Sequence, residues 1–122
     1  MKIINDSEVS NEKATLCGKL KKHFADKDIE VDVNRIEEGK GTKPHFHKEM
    51  TEIYLIVSGN GEIKIKDKKT GKFESKKVQP LSSILIPPNH VHQLINIGKE
   101  VLVHYVICRP PWRKDDEFFE DF

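Results

Sequence analysis

Residues 39–59 have the sequence GKGTKPHFHKEMTEIYLIVSG, which places two histidines and two glutamates between glycine-containing turns. His45 and His47 follow Pro44 and are separated by one residue. On a β-strand this spacing puts both imidazoles on one face, with their backbone positions about 7 Å apart. Neutral imidazole binds divalent ions such as iron, zinc, copper and nickel. The pair therefore predicts part of a metal site.

A carboxylate is the expected third ligand, because it neutralises part of the charge of the ion, and the sequence offers Glu49 and Glu52. Strict alternation favours Glu49, which continues the odd-numbered face of the strand. The polar residues 48–51 interrupt the apolar pattern, however, and a bend there would reset the alternation and turn Glu52 inward. The residues by themselves leave both glutamates as candidates.

A second pair of histidines lies in residues 84–96, which read ILIPPNHVHQLIN. Two prolines and an asparagine at residues 87–89 predict a tight turn. On the strand after this turn, His92 and Asn96 share one face. His90 has the same parity but lies nearer the turn, so it is interpreted as a residue at the rim of the site or behind a ligand.

The remaining sequence predicts an all-β fold, because short apolar runs alternate with turn residues from Ile29 onward. Ile29, Val31 and Val33 alternate with polar residues, which is typical of a strand with one buried face. Further strand-length runs lie at residues 52–57, 62–66, 73–78, 84–86, 91–97 and 101–108.

The two ends of the chain are harder to interpret. In the first 28 residues, apolar side chains fit a helical stripe, yet Gly18 weakens a helix, so a short strand remains an alternative. The stripe consists of Ala14, Leu16, Cys17, Leu20 and Phe24. At the other end, Pro110 and Pro111 end the last strand. The tail that follows is expected either to fray or to pack Trp112 and its phenylalanines on the barrel or on a partner subunit.

Composition excludes several classes of function. The 122 residues fit one domain, and 21 Lys and Arg nearly balance 20 Asp and Glu, so neither nucleic acid nor a membrane is an expected partner. With no long apolar run and no secretory signal at its start, the chain is expected to be cytoplasmic. Cys17 and Cys108 lack the spacing of a redox or zinc motif and are expected to be reduced thiols.

Two motifs in the sequence resemble those of the cupin superfamily. The first, G-x5-H-x-H-x4-E-x6-G, is met in full by Gly39, His45, His47, Glu52 and Gly59. The second, G-x5-P-x-G-x2-H-x3-N, is met by Pro87, His92 and Asn96, whereas Leu81 and Asn89 stand at its two glycine positions. Both departures lie in turns and leave the candidate ligands in place.

The resemblance implies a double-stranded β-helix, or jelly-roll, barrel with a core at about residues 29–108. A short N-terminal segment and the tail 109–122 would pack outside it. One divalent transition metal (Fe, Mn, Zn, Ni or Cu) would be bound by His45, His47, Glu52 and His92, which decides between the two glutamates in favour of Glu52. Small cupins of this kind are commonly homodimers, so a homodimer is expected.

Other polar residues are candidates for the pocket or for supporting the ligands: Tyr54, His90, Asn96, His104 and Glu49. For Tyr54 and His104, a place in the core or within the sheet is an equal alternative. His23 and the neighbouring lysines are interpreted as solvated surface.

A metal held by three imidazoles and one carboxylate keeps a positive charge and open positions for a bidentate oxygen ligand. The leading hypothesis is a metal-dependent enzyme acting on a small oxygen-rich organic substrate, as a dioxygenase, sugar-type isomerase or decarboxylase. The alternatives are a non-catalytic barrel that binds or senses a sugar or other small molecule, and a site that stores metal or uses it structurally. No general base is evident in the sequence.

Overall fold

The apolar runs form eleven β-strands in the computed structural model, which describes residues 1–122. They are β1 (Glu12–Thr15), β2 (Gly18–Ala25), β3 (Glu30–Ile36), β4 (His45–Phe46), β5 (Thr51–Ser58), β6 (Gly61–Asp67), β7 (Phe73–Val78), β8 (Ser83–Ile86), β9 (His90–Asn96), β10 (Leu102–Arg109) and β11 (Phe118–Phe119). The helical segments are two 3-10 turns, Asp6–Glu8 and Lys114–Asp116. Neither is long and apolar enough to cross a membrane.

The strands form two antiparallel sheets, in agreement with the predicted jelly roll. One sheet has six strands in the order β1-β2-β3-β10-β5-β8, and the other has five in the order β11-β4-β9-β6-β7. Sequence neighbours such as β4 and β5 lie in different sheets, so the chain repeatedly crosses between the two. Side chains from widely separated segments therefore face one interior.

The apolar core lies where the two sheets face each other. Ile56 and Leu102 contribute from the six-stranded sheet, and Ile63 and Leu94 contribute from the five-stranded sheet. Each such side chain stabilises the fold by about 1.5–3 kcal/mol when it is fully buried.

Strand β3 has buried residues on both faces, so the prediction of a single apolar buried face is only partly correct. Val33 is buried as expected, but Glu30, Asp32 and Asn34 are also buried and line an internal cavity, whereas Ile29 is exposed. Apolar alternation indicates which residues share a face. It does not indicate whether the interior at that point is an apolar core or a polar cavity.

The N-terminal segment is a β-hairpin, so the short-strand alternative is correct and the helical stripe is not. Strands β1 and β2 pair, and β2 continues onto β3, which extends the six-stranded sheet before residue 29. Gly18 occupies this hairpin with φ +127, and a Cβ there would lie 2.4 Å from the carbonyl oxygen of Arg35. Gly18, which weakened the helical interpretation of the sequence, is therefore required by the hairpin.

The interpretation of His23 as solvated surface was also wrong. His23 is buried, and its Nε2 lies 2.8 Å from Oδ1 of Asp6. The same carboxylate contacts Arg35. Burial raises the pKa of Asp6, but Arg35 and His23 outweigh this effect and hold the pKa below its usual value. Residues near the N-terminus are thereby fixed to β2 and β3.

The C-terminal tail packs on the barrel and does not fray. Strand β11 pairs with β4, and the Phe118 ring stacks on Phe46 with 5.2 Å between ring centroids. The backbone N–H of Glu120 donates to the carbonyl oxygen of Pro44 at 3.2 Å. The tail therefore lies beside the histidines of β4.

Leu81 and Asn89, which replace the glycines of the second cupin motif, both adopt the left-handed backbone region. Their φ angles are 74 for Leu81 and 59 for Asn89. The turns thus keep the conformation that glycine would adopt. Asparagine tolerates this region, whereas a leucine there is strained.

We expect Leu81→Gly to stabilise the protein by about 0.5–1 kcal/mol, because it removes the strain and outweighs the greater freedom of glycine in the unfolded chain. Leu81 is 93% exposed, so no buried contact is lost. Urea unfolding of Leu81→Gly and Leu81→Ala tests this. The alanine variant loses the side chain but keeps Cβ, so it should show little gain, and an equal gain in both variants would contradict the strain argument.

Candidate metal centre

Four side chains from both sheets converge on one point. His45 lies on β4, His47 follows that strand, Glu52 begins the inward face of β5, and His92 lies opposite His45 on β9. All four are buried, and one donor atom from each lies within 4.8 Å of the donor atoms of the others. The structure therefore brings together the complete set of candidate ligands expected from the sequence.

The choice between the two glutamates follows from a bend after β4. Residues 47–50 leave the strand conformation, which resets the alternation before β5 and directs Glu52 inward. Glu49 instead points outward with its side chain 62% exposed, and it accepts a hydrogen bond from Nη2 of Arg113 at 2.8 Å. Glu49 is therefore not placed to bind a metal with the histidines.

Each candidate histidine ligand is oriented by a hydrogen bond at its other ring nitrogen. Nδ1 of His45 lies 2.7 Å from the carbonyl oxygen of Lys43, and Nδ1 of His92 lies 2.9 Å from that of His90. Nδ1 of His47 lies 2.7 Å from the carbonyl oxygen of Asp116. Because a carbonyl only accepts, each Nδ1 carries the proton, and each neutral ring presents an unprotonated Nε2.

The donor atoms that face one another have no hydrogen-bond partner. Nε2 of His47 and Nε2 of His92 each lie 3.0 Å from Oε1 of Glu52, yet neither contact has the geometry of a hydrogen bond. All three atoms are buried and unsatisfied. A buried polar atom without a partner is costly, and a cation between these atoms would satisfy all of them.

The electrostatics of the cluster favour an ionised Glu52 carboxylate. Burial raises the pKa of Glu52, but the His47 and His92 rings outweigh it and hold the pKa below its usual range. Burial, together with the nearby His92, lowers the pKa of His45 to about 3, so this ring is neutral. Burial lowers the pKa of His47, but Glu52 outweighs this effect and raises it. When no cation neutralises Glu52, the carboxylate therefore favours a second proton on His47.

Asp116, in the C-terminal tail, holds the bend in place and was missed by the sequence reasoning. Its carboxylate accepts hydrogen bonds from the backbone N–H groups of Lys48, Glu49 and Met50, at 2.9 to 3.3 Å. Its carbonyl oxygen accepts from His47. Asp116 lies 69 residues from His47 along the chain, so no local pattern could have indicated this contact.

A cavity of about 580 Å³ leads to the cluster. Its walls come from the β1–β2 hairpin, strands β3, β5 and β10, and the tail, and they include His45, His47 and Glu52. Tyr54 and His104 also line it, with 4.6 Å between their ring centroids. Tyr54 also belongs to the apolar core, and His104 lies 3.1 Å from Nδ2 of Asn34 on the neighbouring strand, so each residue has both a structural place and a place in the cavity wall. A role of either residue in ligand binding stays a prediction.

Cys17 and Glu117 border the cluster and were not predicted to do so. One donor atom from each lies within 4.8 Å of a ring nitrogen of His45, which makes a second, overlapping group. Burial raises the pKa of Glu117, and burial raises that of Cys17 to about 12, so Cys17 is a neutral thiol. A neutral thiol is a poor metal ligand, so the four-residue cluster is the better candidate.

The other two predicted site residues do not line the cavity. Nδ1 of His90 lies 2.8 Å from the carbonyl oxygen of Pro88, and His90 supports the site through its own carbonyl, which accepts from His92. Asn96 donates to the carbonyl oxygens of Ile36 and Glu100 at 2.9 and 2.8 Å. His90 therefore lies behind His92, and Asn96 makes hydrogen bonds within the fold. A role of either residue in the site stays a prediction.

Comparison with known protein families gives a match over most of the chain. Residues 11–117 match the family model of the polysaccharide biosynthesis C-terminal domain. The chain belongs to this family. No curated protein sequence matches this chain.

Solved structures similar to this chain have the cupin-type, double-stranded β-helix fold, so the fold expected from the resemblance is confirmed. CapF from Staphylococcus aureus, described as a capsular polysaccharide assembling protein, has a TM-score of 0.83 and 21% identity over 92% of this chain and 34% of its own. KdgF from Halomonas sp. has a TM-score of 0.77 and 18% identity over 94% and 97%. Oxalate decarboxylase from Lactobacillus farciminis has a TM-score of 0.77 and 18% identity over 89% and 33%. This chain thus spans about a third of the length of CapF. These similarities show the fold of the chain.

We expect Asp116→Ala to weaken metal binding by the domain about 10- to 100-fold, because the N–H groups of the bend after β4 lose their carboxylate acceptor and the bend that positions His47 and Glu52 loosens. Competition with a chelator for Zn²⁺ measures the affinity. Asp115→Ala is the matched control, because the side chain of Asp115 is 82% exposed. Equal metal affinity in a folded Asp116→Ala protein and in the control would show that the tail does not support the site.

Proposed function

We propose that this domain is a metal-dependent enzyme unit that acts on a sugar or a similar oxygen-rich substrate, with sugar isomerisation as the reaction class. The observation that carries the proposal is the set of unpartnered Nε2 and Oε1 atoms of His47, His92 and Glu52 in the buried cluster. The cavity of about 580 Å³ lies within the range of roughly 300–1,000 Å³ of small-molecule sites.

The residues present fit a divalent transition metal. Three neutral imidazoles and one carboxylate match the donor preferences of Fe, Mn, Zn, Ni and Cu, and the hydrogen bonds at Nδ1 leave the correct nitrogen free. When bound, such an ion supplies a positive charge that polarises carbonyl or hydroxyl oxygens of a substrate. His45, His47, Glu52 and His92 would hold it.

Other residues of the cavity would bind the substrate and exclude water. Glu117 borders the cluster, with Oε1 4.0 Å from Nε2 of His45, and can accept a hydrogen bond from a substrate hydroxyl. Leu16, Trp112 and Phe119 contribute apolar walls. Such walls suit the carbon face of a sugar ring, on which aromatic side chains commonly pack.

The family and one neighbour favour a sugar over other oxygen-rich substrates. The family model is a polysaccharide biosynthesis domain, and CapF is described as a capsular polysaccharide assembling protein. Oxalate decarboxylase has the same fold, so fold by itself does not select the reaction. A barrel that binds a sugar without converting it is the second candidate, because the same cavity and polar groups would serve it.

We expect the metal-loaded protein to exchange a carbon-bound hydrogen of a sugar with solvent. The test incubates protein loaded with Mn²⁺, Fe²⁺, Zn²⁺ or Ni²⁺ with free and nucleotide-linked sugars in D₂O and follows deuterium incorporation by NMR. Glu52→Gln should abolish exchange, because it removes the carboxylate of the cluster. Glu49→Gln, which alters an exposed carboxylate in the same segment, is the matched control and should retain it.

Two outcomes would contradict isomerisation. Oxygen consumption by the iron-loaded protein in the presence of a substrate would indicate a dioxygenase. Saturable sugar binding with no exchange or turnover for any metal would indicate the binding barrel.

The homodimer expected from the sequence stays a prediction. Ile53, Val57 and Leu85 are exposed apolar side chains on β5 and β8 of the six-stranded sheet. The cytoplasmic location likewise stays a prediction.

A further inference from the structure

The cavity has a polar wall formed by residues that the metal cluster does not use. Glu30, Asp32 and Asn34 on β3 are buried, and His104 on β10 lies opposite Asn34. All four line the cavity. If core packing were the only requirement, these buried positions would hold apolar side chains. The polar wall therefore needs another cause.

Three atoms of the polar wall lack hydrogen-bond partners. Oδ1 of Asp32, Oδ1 of Asn34 and Nδ1 of His104 are all unsatisfied, and each of these residues is at most 3% exposed. Leaving such buried groups unpaired is costly. A bound molecule that pairs with these atoms would recover this free energy.

The hydrogen bonds within the wall show what each atom can offer. Nδ2 of Asn34 donates to the carbonyl oxygen of Cys17 at 2.7 Å and lies 3.1 Å from Nε2 of His104. Because Nδ2 is a donor, Nε2 of His104 accepts, and the proton of the neutral ring is on Nδ1. Burial lowers the pKa of His104 to about 4, so the ring is neutral. The wall thus presents an N–H donor at His104 and oxygen acceptors at Asn34 and Asp32.

This combination selects the chemical class of the ligand. A hydroxyl group both donates and accepts, so the hydroxyl groups of one ligand can pair with the acceptor oxygens and with the N–H of His104. A metal ion or an ammonium group would be repelled by the N–H of His104. An anionic group would meet Glu30 and Asp32, whose nearest opposite charge is Nζ of Lys22, 3.9 Å from Oε1 of Glu30. Neutral hydroxyl groups are therefore the best match.

The polar wall lies across the sheet from the metal cluster. Glu52 on β5 pairs with Cys108 on β10, and Cys108 pairs with Glu30 on β3. Neighbouring strands are about 4.8 Å apart, so β3 lies roughly 10 Å from β5. This separation, reduced by the side chains that point inward, suits a molecule of monosaccharide size.

We propose that Asp32, with Glu30, Asn34 and His104, forms a recognition site for the hydroxyl groups of a neutral sugar-like ligand whose other end lies at the metal cluster. The site rests on the proposed function for the metal end, but the hydroxyl recognition itself does not require the ion. It would determine which substrates are accepted, while the metal cluster performs the chemistry.

Substitutions at Asp32 test the proposal, with methyl hexosides and the matching methyl hexuronides as probes and saturation-transfer NMR titration as the measurement. Asp32→Ala and Asp32→Val should weaken hexoside binding about tenfold, because both remove the acceptor. Alanine leaves space and valine fills it, so a loss in both variants is not a steric effect. Asp32→Asn keeps an acceptor oxygen and should retain most of the binding.

Thermal unfolding of the ligand-free variants separates recognition from a structural role. Burial and then Glu30 raise the pKa of Asp32 to about 8, so this carboxyl group destabilises the empty fold when it is ionised. We therefore expect Asp32→Val to unfold at the same or a higher temperature than the wild-type protein, while it binds hexosides more weakly. Residues that bind a ligand commonly lower the stability of the fold while they support its function.

Each titration is carried out with metal-loaded and with EDTA-treated protein. If the wild-type protein holds no metal but hexoside binding still depends on Asp32, the recognition site stands and the metal-dependent function fails. The proposal is overturned if the wild-type protein binds no hexoside in either state, if it prefers hexuronides, or if Asp32→Ala and Asp32→Val bind hexosides as tightly as the wild-type protein.

Discussion

The Glu52 carboxylate is buried between two imidazole nitrogens that make no hydrogen bond with it, and this arrangement constrains the rest of the site. A buried carboxylate is tolerated when positive charge or hydrogen-bond donors face it. Here the facing Nε2 atoms are acceptors, because carbonyl oxygens hold the proton on each Nδ1. Four electron-pair donors thus point at one another, and a cation at their centre resolves the conflict.

Segments from both ends of the chain complete the site that the central strands begin. The tail supplies Asp116, which holds the bend that turns Glu52 inward, and Glu117, which borders the cavity. The N-terminal hairpin supplies Cys17, whose carbonyl oxygen fixes the Asn34 amide of the polar wall. The parts of the sequence that were hardest to interpret therefore shape the cavity in which a ligand would bind.

The sequence predicted the fold class and narrowed the candidate ligands because both depend on local spacing, and the resemblance to the cupin motif then selected Glu52 over Glu49. The H-x-H pair, the following glutamate and the turn before His92 are short-range patterns, and period-2 alternation located most strands. It failed for the inward face of β3, because alternation cannot distinguish a polar cavity from an apolar core. It also missed Asp116, Glu117 and the burial of His23, since each depends on contacts between distant segments. Leu81 shows a third kind of limit, because its turn keeps a glycine conformation without a glycine.

Anomalous diffraction from a crystal grown with Mn²⁺ or Ni²⁺ is the most direct test of the central claim. The account predicts one anomalous peak within about 2.0–2.3 Å of Nε2 of His45, His47 and His92 and of a carboxylate oxygen of Glu52. A peak at Cys17 and Glu117 instead, or no peak at either group when the metal is in excess, would contradict it.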